Sequence, residues 1–256
     1  MRPRLVYSDE LTRYDFGEAH PMGPGRVRMA IELARQLGVL DQLDVVPPPP
    51  ADDALLRLVH TEDYIQAVIA ERPMLHYGIG TPDNPVMPGM HEVASLICTA
   101  TTAAARMVWG GESHRAANLA GGLHHAMPSL TSGFCVYNDC AVAIRWLQRH
   151  GAARIAYVDV DAHHGDGVQH IFYDDPSVLT ISLHESPVHL FPGTGFAQET
   201  GVRGPWAVLS TSRCHRAPMT RAGCGPLPRS CRRCWPNSVR RSWSASTGAT
   251  PTPTIR

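Results

Sequence analysis

Residues 155–167 read Ile155-Ala156-Tyr157-Val158-Asp159-Val160-Asp161-Ala162-His163-His164-Gly165-Asp166-Gly167. The first four are apolar, and a short apolar run bounded by polar turn residues predicts a buried strand. Side chains on a strand alternate faces, so Asp159, Asp161 and His163 would point the same way for as long as the chain stays extended. Two carboxylates and an imidazole converging at a strand end call for a positive charge between them. A divalent metal supplies it, because aspartate oxygens and histidine nitrogens are ordinary zinc ligands. The plain alternative is a solvated acidic turn. Three acids and two histidines within eight residues, directly after an apolar strand, weigh against it.

Working outward, the same pattern recurs. Ala116–Ala120, Arg154–Val158 and Val178–Leu183 read as buried strands that run into glycine, histidine or aspartate, and Arg4–Tyr7 and Val45-Val46 as further short strands. Helical spacing of apolar residues predicts helices over 25–37, 90–108 and 138–148, with Asn138 as a cap, and shorter ones over 54–59 and 62–70. Pro47–Pro50 and the Gly- and Pro-rich stretch 77–88 are breaks. Strands alternating with helices predict an α/β fold with a mainly parallel sheet. Ligands of such sheets bind beyond the carboxyl ends of the strands, where the polar clusters fall here.

A second cluster is Gly121-Gly122-Leu123-His124-His125-Ala126. Its adjacent histidines could be metal ligands or a general-base pair, or simply a partly exposed loop. Ser132-Gly133-Phe134-Cys135 could line a pocket or bury an ordinary phenylalanine. Ser182-Leu183-His184 ends another strand, and Phe191-Pro192-Gly193-Thr194-Gly195 is a turn that could carry Phe191 into a rim.

These segments together resemble the histone deacetylase family, which includes the bacterial acetoin-utilisation proteins and the acetylpolyamine amidohydrolases. The matching residues are His20-Pro21-Met22 with Pro24 and Arg26, the GGLHHA segment, and Gly133-Phe134-Cys135 with Asn138-Asp139. They continue through DVDAHHGDGVQ, Ser182-Leu183-His184 and the Phe191 turn. Order and spacing agree from about residue 4 to 201, and Tyr77–Thr81 with Asp83-Asn84-Pro85 looks most like the acetoin-utilisation branch. The resemblance implies a three-layer αβα fold of the arginase/deacetylase kind and a zinc-dependent hydrolase of acetyl-lysine or a related acetylated amine. It implies zinc on Asp161 and His163, His124 paired with Asp159, and His125 paired with Asp166. His125 would then be the general base and acid, and His124 its electrostatic partner. Gly133, Phe134 and Phe191 would line an acyl-lysine channel, with Asp83 holding substrate backbone at its rim. A monovalent cation such as K⁺ would sit on Asp159, Asp161, His163, Ser182 and Leu183, and a second near Phe172, Asp175 and Val178.

The resemblance stops near Gly201. The family's third zinc ligand, an Asp in a later G-x-D-x-x-x-x-D-P-like segment, and its late oxyanion donor, a Tyr or His, have no identifiable counterpart. No Asp or Glu follows residue 201, no Tyr follows Tyr173, and His215 is the only later histidine. The chain has no Lys. Residues 1–201 hold 13 Arg against all 23 acids, whereas 202–256 hold 10 Arg and no acid. The expected organisation is therefore a partial deacetylase-like domain over 1–201, its sheet incomplete at the C-terminal end. An Arg-, Pro-, Ser- and Cys-rich tail over 202–256 is expected to be disordered and translated from a shifted frame. Met219 must be ATG and Thr220 ACx, so the frame starting at the third base reads Asp there. From that codon the frame permits D-A-G-W-L-R, and across Ser244–Arg256 it permits S-Q-H-G-C-D-T-H-T-D-D-P, which is like the missing ligand segment.

The basic tail also invites a nucleic-acid reading, and Cys231-Arg232-Arg233-Cys234 a zinc-ribbon one, but a single CxxC is weak. A non-catalytic, metal-binding remnant or regulatory protein of the same family is the main alternative. A two-metal hydrolase of the arginase kind is disfavoured by the tandem histidines and Phe134. No run of 18 apolar residues and no apolar leader is present, so a cytoplasmic protein without a membrane span is the expectation. Cys98, Cys135 and Cys140 suggest no disulfide framework.

Overall fold

The computed structural model describes residues 1–201 and the strand 210–214. In order, the elements are β1 (Arg4–Val6), α1 (Gly25–Gln36), β2 (Asp44–Val46), α2 (Asp53–Leu56), α3 (Glu62–Ile69) and α4 (Met90–Trp109). There follow β3 (Ala116–Ala117), α5 (Asp139–Arg149), β4 (Ile155–Asp159), α6 (Asp166–Phe172), β5 (Val178–Glu185) and β6 (Ser210–Cys214). Every described strand pair is parallel: β2-β1-β3 form one sheet and β4-β5-β6 another. Parallel strands need crossover connections, and the helices between them supply these while covering the sheet faces.

The α4 helix organises the core. Its run of Ala, Thr, Val and Ile is buried along most of its length, with Met90, Ala94, Cys98 and Ala100 fully enclosed. Small side chains let it pack closely on α5 and on β1 and β3. One apolar cluster joins α3, α4 and the loops carrying Leu123, Ala126 and Tyr137; a second joins α5, α6, β4 and β5. Asn138 caps α5 as expected, its side chain accepting from the Ala141 N–H at 2.9 Å.

Two local expectations change. The third strand ends at Ala117 rather than Ala120, because the Asn118 side chain takes the Ala120 N–H and Asp139 takes those of Gly122 and Leu123. Helix α6 was not foreseen; it begins at Asp166, inside the polar cluster. The reading of 202–256 as a shifted, disordered tail lies outside the described residues, except at 210–214, which are not disordered but pair in parallel with β5 as strand β6. Among the described residues no helix is long and apolar enough to cross a membrane.

Candidate active site

Strand β4 ends at Asp159, which pairs in register with Ser182 of β5. Beyond it the backbone turns, so strict alternation stops. The Asp159 carboxylate accepts from the Asp161 N–H at 3.0 Å, and the Asp161 carboxylate accepts from the His163 N–H at 2.7 Å. These short-range bonds are typical of aspartates that replace a ladder by a turn. The result separates the three residues. Asp159 is buried and faces the histidine loop, while Asp161 and His163 pair with each other, Nδ1 to Oδ1 at 2.9 Å, and are about half exposed.

The tandem histidines lie beside them. His124 Nδ1 is 2.6 Å from the Asp159 carboxylate, and His125 Nδ1 is 2.6 Å from that of Asp166; all four groups are buried. An ionised carboxylate can only accept, so each imidazole carries its proton on Nδ1 toward the acid, which leaves Nε2 outside the pair. The two rings lie 4.1 Å apart, and the Tyr157 hydroxyl donates to Asp159 at 2.7 Å.

The backbone of this loop is held from below. The Asn138 amide donates to the carbonyls of His124 and Ala126, and the Asp139 carboxylate accepts from Gly122, Leu123 and the Thr101 hydroxyl. His60 receives the Asn138 N–H on Nε2 and faces the Pro128 carbonyl through Nδ1. Burial pushes the His60 pKa down to about 4, so it stays neutral. Gly167 lets α6 approach: a Cβ there would lie 2.5 Å from the carbonyls of His124 and Ala126.

The two imidazoles differ in proton affinity. Burial opposes charge on His124, but its hydrogen bond to Asp159, with the charges of Asp159, Asp161 and Asp166, prevails and raises its pKa. Burial also opposes charge on His125; there the His124 and His163 charges add to it, and despite Asp166 the pKa is lowered. Asp159 is held below the usual carboxylate range: burial works the other way, but His124 and Tyr157 outweigh it.

An aromatic wall stands over His125. The Phe191 ring lies 5.0 Å from His125 and 6.4 Å from His163, edge to face. Gly133, at φ +52°, faces both: a Cβ there would meet His125 at 2.5 Å and Phe191 at 2.9 Å. Phe134, also at positive φ, is fixed by its N–H to the Asn84 side chain and by its carbonyl to the Tyr14 hydroxyl. Asp83 is exposed next to Asn84, with its carbonyl 3.2 Å from the His20 ring. His20 in turn stands edge-on to Phe134 at 4.6 Å.

The donor set at Asp161 and His163 is chemically suited to zinc, but among the described residues no group of three His, Cys, Asp or Glu is placed to hold a metal. Ser182, neighbour of Asp159 in the sheet, bonds its hydroxyl to His184 at 2.8 Å. At the second cation position Arg145 lies close by. Arg145 reaches Asp175 at 2.8 Å and the Ile171 carbonyl at 3.2 Å, and lies 4.5 Å over the Phe172 ring. The carbonyls of Phe172 and Asp175 there accept the N–H groups of Asp175 and Val178. Sequence reasoning gave no role to His60, Tyr14, Asn84, Tyr157, Thr101 or Asp139; their partners lie far away in sequence, apart from Tyr157, two residues from Asp159.

Comparison with known proteins identifies the family and the fold. The family model of the histone deacetylase domain matches residues 20–222. The acetoin utilization protein AcuC of Bacillus subtilis (strain 168) is 48% identical over 204 residues, which are 77% of this chain and 53% of that protein. The Staphylococcus aureus (strain MRSA252) protein of the same name is 37% identical over 203 residues, covering 77% and 52%. The chain thus spans about half the length of these relatives. The crystal structure of a histone deacetylase homolog from Aquifex aeolicus superposes with a TM-score of 0.74 at 32% identity, covering 84% of this chain and 59% of that one. Another, of such a homolog complexed with SAHA, superposes at 0.75, also at 32% identity, covering 84% and 60%. The α/β architecture is therefore the three-layer deacetylase one.

Proposed function

The chain belongs to the histone deacetylase family, and from that premise we propose that it carries the acid-base half of a zinc-dependent deacetylase site of the acetoin-utilisation kind. The observation that supports this best is the pair of buried imidazole–carboxylate couples, His124–Asp159 and His125–Asp166, both at 2.6 Å. Their proton affinities are shifted in opposite directions. Neutral His125 offers a free Nε2 lone pair to take a proton from water and pass it to the leaving amine. His124 beside it, whose pKa its carboxylate partner raises, stabilises negative charge that develops on the acyl oxygen. Gly133, Phe134 and Phe191 would exclude water from the stem of an acyl-lysine or acylated amine, and Asp83 would hold substrate backbone at the rim. Asp161 and His163 would hold the zinc, which when bound supplies Lewis-acid polarisation of the acetyl carbonyl.

Two protein ligands are one fewer than a catalytic zinc ordinarily has, and no oxyanion donor stands among the described residues. Losing such a donor alone lowers kcat by about 10²–10³. The full chain is therefore expected to bind zinc weakly and to turn over acetyl-lysine peptide slowly, if measurably. SAHA, the ligand of the solved homolog, tests the site without requiring turnover. Calorimetry with the zinc-loaded chain should show zinc-dependent SAHA binding that His163→Ala abolishes. Zinc-independent binding, or none at millimolar zinc, overturns the assignment. Zinc bound with SAHA but no turnover on any acetylated amine favours the second reading, a non-catalytic metal-binding member of the family; the one-short donor set is the observation behind it.

A further inference from the structure

Beside the two imidazole–carboxylate couples, Glu199, Gln169, His164 and Thr194 close into a ring of hydrogen bonds. One oxygen of the Glu199 carboxylate accepts the N–H groups of Gly195 and Phe196, both at 2.9 Å, and the other accepts the Gln169 amide at 2.7 Å. The Gln169 carbonyl lies 2.9 Å from His164 Nε2, and His164 Nδ1 lies 2.8 Å from the Thr194 hydroxyl. Thr194 directly precedes Gly195, so the backbone completes the ring. His164 and Gln169 are buried and Glu199 is partly buried.

The direction of each bond is set from one end. Burial opposes charge on Glu199, but the Phe196 N–H, the Gln169 amide and the Gly195 N–H outweigh it and lower the pKa. An ionised carboxylate has no hydrogen to give, so Gln169 must turn its NH₂ group to Glu199 and its carbonyl to His164. His164 must then carry a hydrogen on Nε2, whereas His124 and His125 present theirs to their acids on Nδ1.

The ring joins three pieces of the site. His164 follows His163 in the Asp161–His163 loop, Gln169 lies on α6, which opens with Asp166, and Thr194 and Gly195 end the turn that carries Phe191. Gly195 leaves no slack between them: a Cβ there would meet His184 at 2.5 Å and His164 at 2.7 Å. We infer that Glu199 and Gln169 are positioning residues, which act through His164 and Thr194 to hold the Phe191 turn against the Asp161–His163 loop and so set the Phe191 ring 5.0 Å from His125. The use of that ring as a channel wall rests on the deacetylase reading; the hydrogen bonds and the ring contact do not.

Two variants of Glu199 in the full chain test the role. Glu199→Ala removes the acceptor of three donors. Glu199→Gln can keep the ring only by reversing it: its NH₂ group draws the Gln169 carbonyl, the Gln169 NH₂ group turns to His164 Nε2, and the His164 hydrogen moves to Nδ1. Nitrogen-15 NMR at pH 7.5 should find the His164 hydrogen on Nε2 in the native chain and on Nδ1 in Glu199→Gln. The nuclear Overhauser contact between the Phe191 and His125 rings should survive Glu199→Gln and disappear in Glu199→Ala. Gln169→Leu cuts the ring but leaves Glu199 on the turn, and it should lose the contact as well, so the result does not hang on the folding of one variant. In the zinc-loaded chain, SAHA affinity should fall about tenfold in Glu199→Ala and stay near the native value in Glu199→Gln. A ring contact that survives Glu199→Ala, or is lost in Glu199→Gln, overturns the inference. So does a His164 hydrogen that stays on Nε2 in Glu199→Gln, or an unchanged SAHA affinity in Glu199→Ala. Failure of SAHA to bind the native chain counts against the deacetylase reading instead; the two NMR outcomes need neither zinc nor ligand and then decide the positioning role alone.

Discussion

Replacing His60 with glutamine tests the support beneath the histidine loop. His60 is 3% exposed, accepts the Asn138 N–H at 3.0 Å and titrates at about 4 instead of 6.5. The folded state therefore takes up this proton only below about pH 4, whereas the unfolded chain takes it up near 6.5. Between those values the unfolded state binds more protons, so stability rises with pH across this window and is full above about 6.5. The whole difference is worth about 3 kcal/mol, of which about 2 kcal/mol is lost by pH 5. The cause is physical: a second proton on the buried His60 would sit on Nε2, pointed at the Asn138 N–H that Nε2 now accepts. Glutamine can present one donor and one acceptor but has no proton to gain. Urea unfolding of the native chain and His60→Gln at pH 7.5 and pH 5 isolates the effect, because all other titrations are shared. The stability advantage of the native chain should shrink by about 2 kcal/mol at pH 5. A gap that stays constant, or widens, refutes the account of His60 as a neutral buried acceptor.

Three further outcomes follow from the same network. Asn138→Ala removes the cap on Ala141, strands the buried Ala126 carbonyl and leaves the His124 carbonyl only the Val168 N–H; a loss of about 2–4 kcal/mol is expected in chemical denaturation. Nitrogen-15 NMR of the histidines should find His124 charged and His125 neutral at pH 6.5, and Asp159→Asn should lower the His124 pKa; the reverse order of titration contradicts the assignment. Gly133→Ala forces a side chain into positive φ against His125 and Phe191. It should cost about 1–3 kcal/mol by thermal melt and displace the His125 resonances, whereas Gly23→Ala, with open space around it, should do neither.

The elements that sequence periodicity located well are those whose stability is local or comes from one apolar face. Helices α1, α4 and α5 fall within a residue or two of where their spacing puts them. Helix α6 did not, because Asp166-Gly167-Val168-Gln169-His170 has a glycine inside it and little apolar period; it forms where it packs beneath the histidine loop. The metal-like pattern at 159–163 was legible as a cluster, but strand alternation misjudged its geometry, since aspartates that bond their own backbone end the strand at Asp159. The links from His60 to Asn138, from Asp139 to Gly122 and from Tyr14 to Phe134 span 78, 17 and 120 residues. No local rule reaches across such distances, and they are what hold the site in place.

The two imidazole–carboxylate couples share one contact distance and still differ in charge, and the reason lies in how they are arranged. A lone buried pair of this kind has no cause to favour either member. Here the rings stand 4.1 Å apart, where two unit charges repel by about 4 kcal/mol at an effective dielectric near 20. One proton can therefore be held easily and a second cannot. His124 keeps it because the charges of Asp159, Asp161 and Asp166 all act on it, while His125 feels His163 and His124 against Asp166. Burial does most to keep His125 neutral, and repulsion by its neighbour adds to burial against the pull of its own acid. It follows that His124→Asn, which removes the neighbouring charge and keeps an amide near Asp159, should raise the His125 pKa. Asp166→Asn should lower it further. NMR titration of the two variants decides the matter: if His125 moves with Asp166 alone and ignores the loss of His124, the couples act separately and the division of labour between the two histidines has no electrostatic basis.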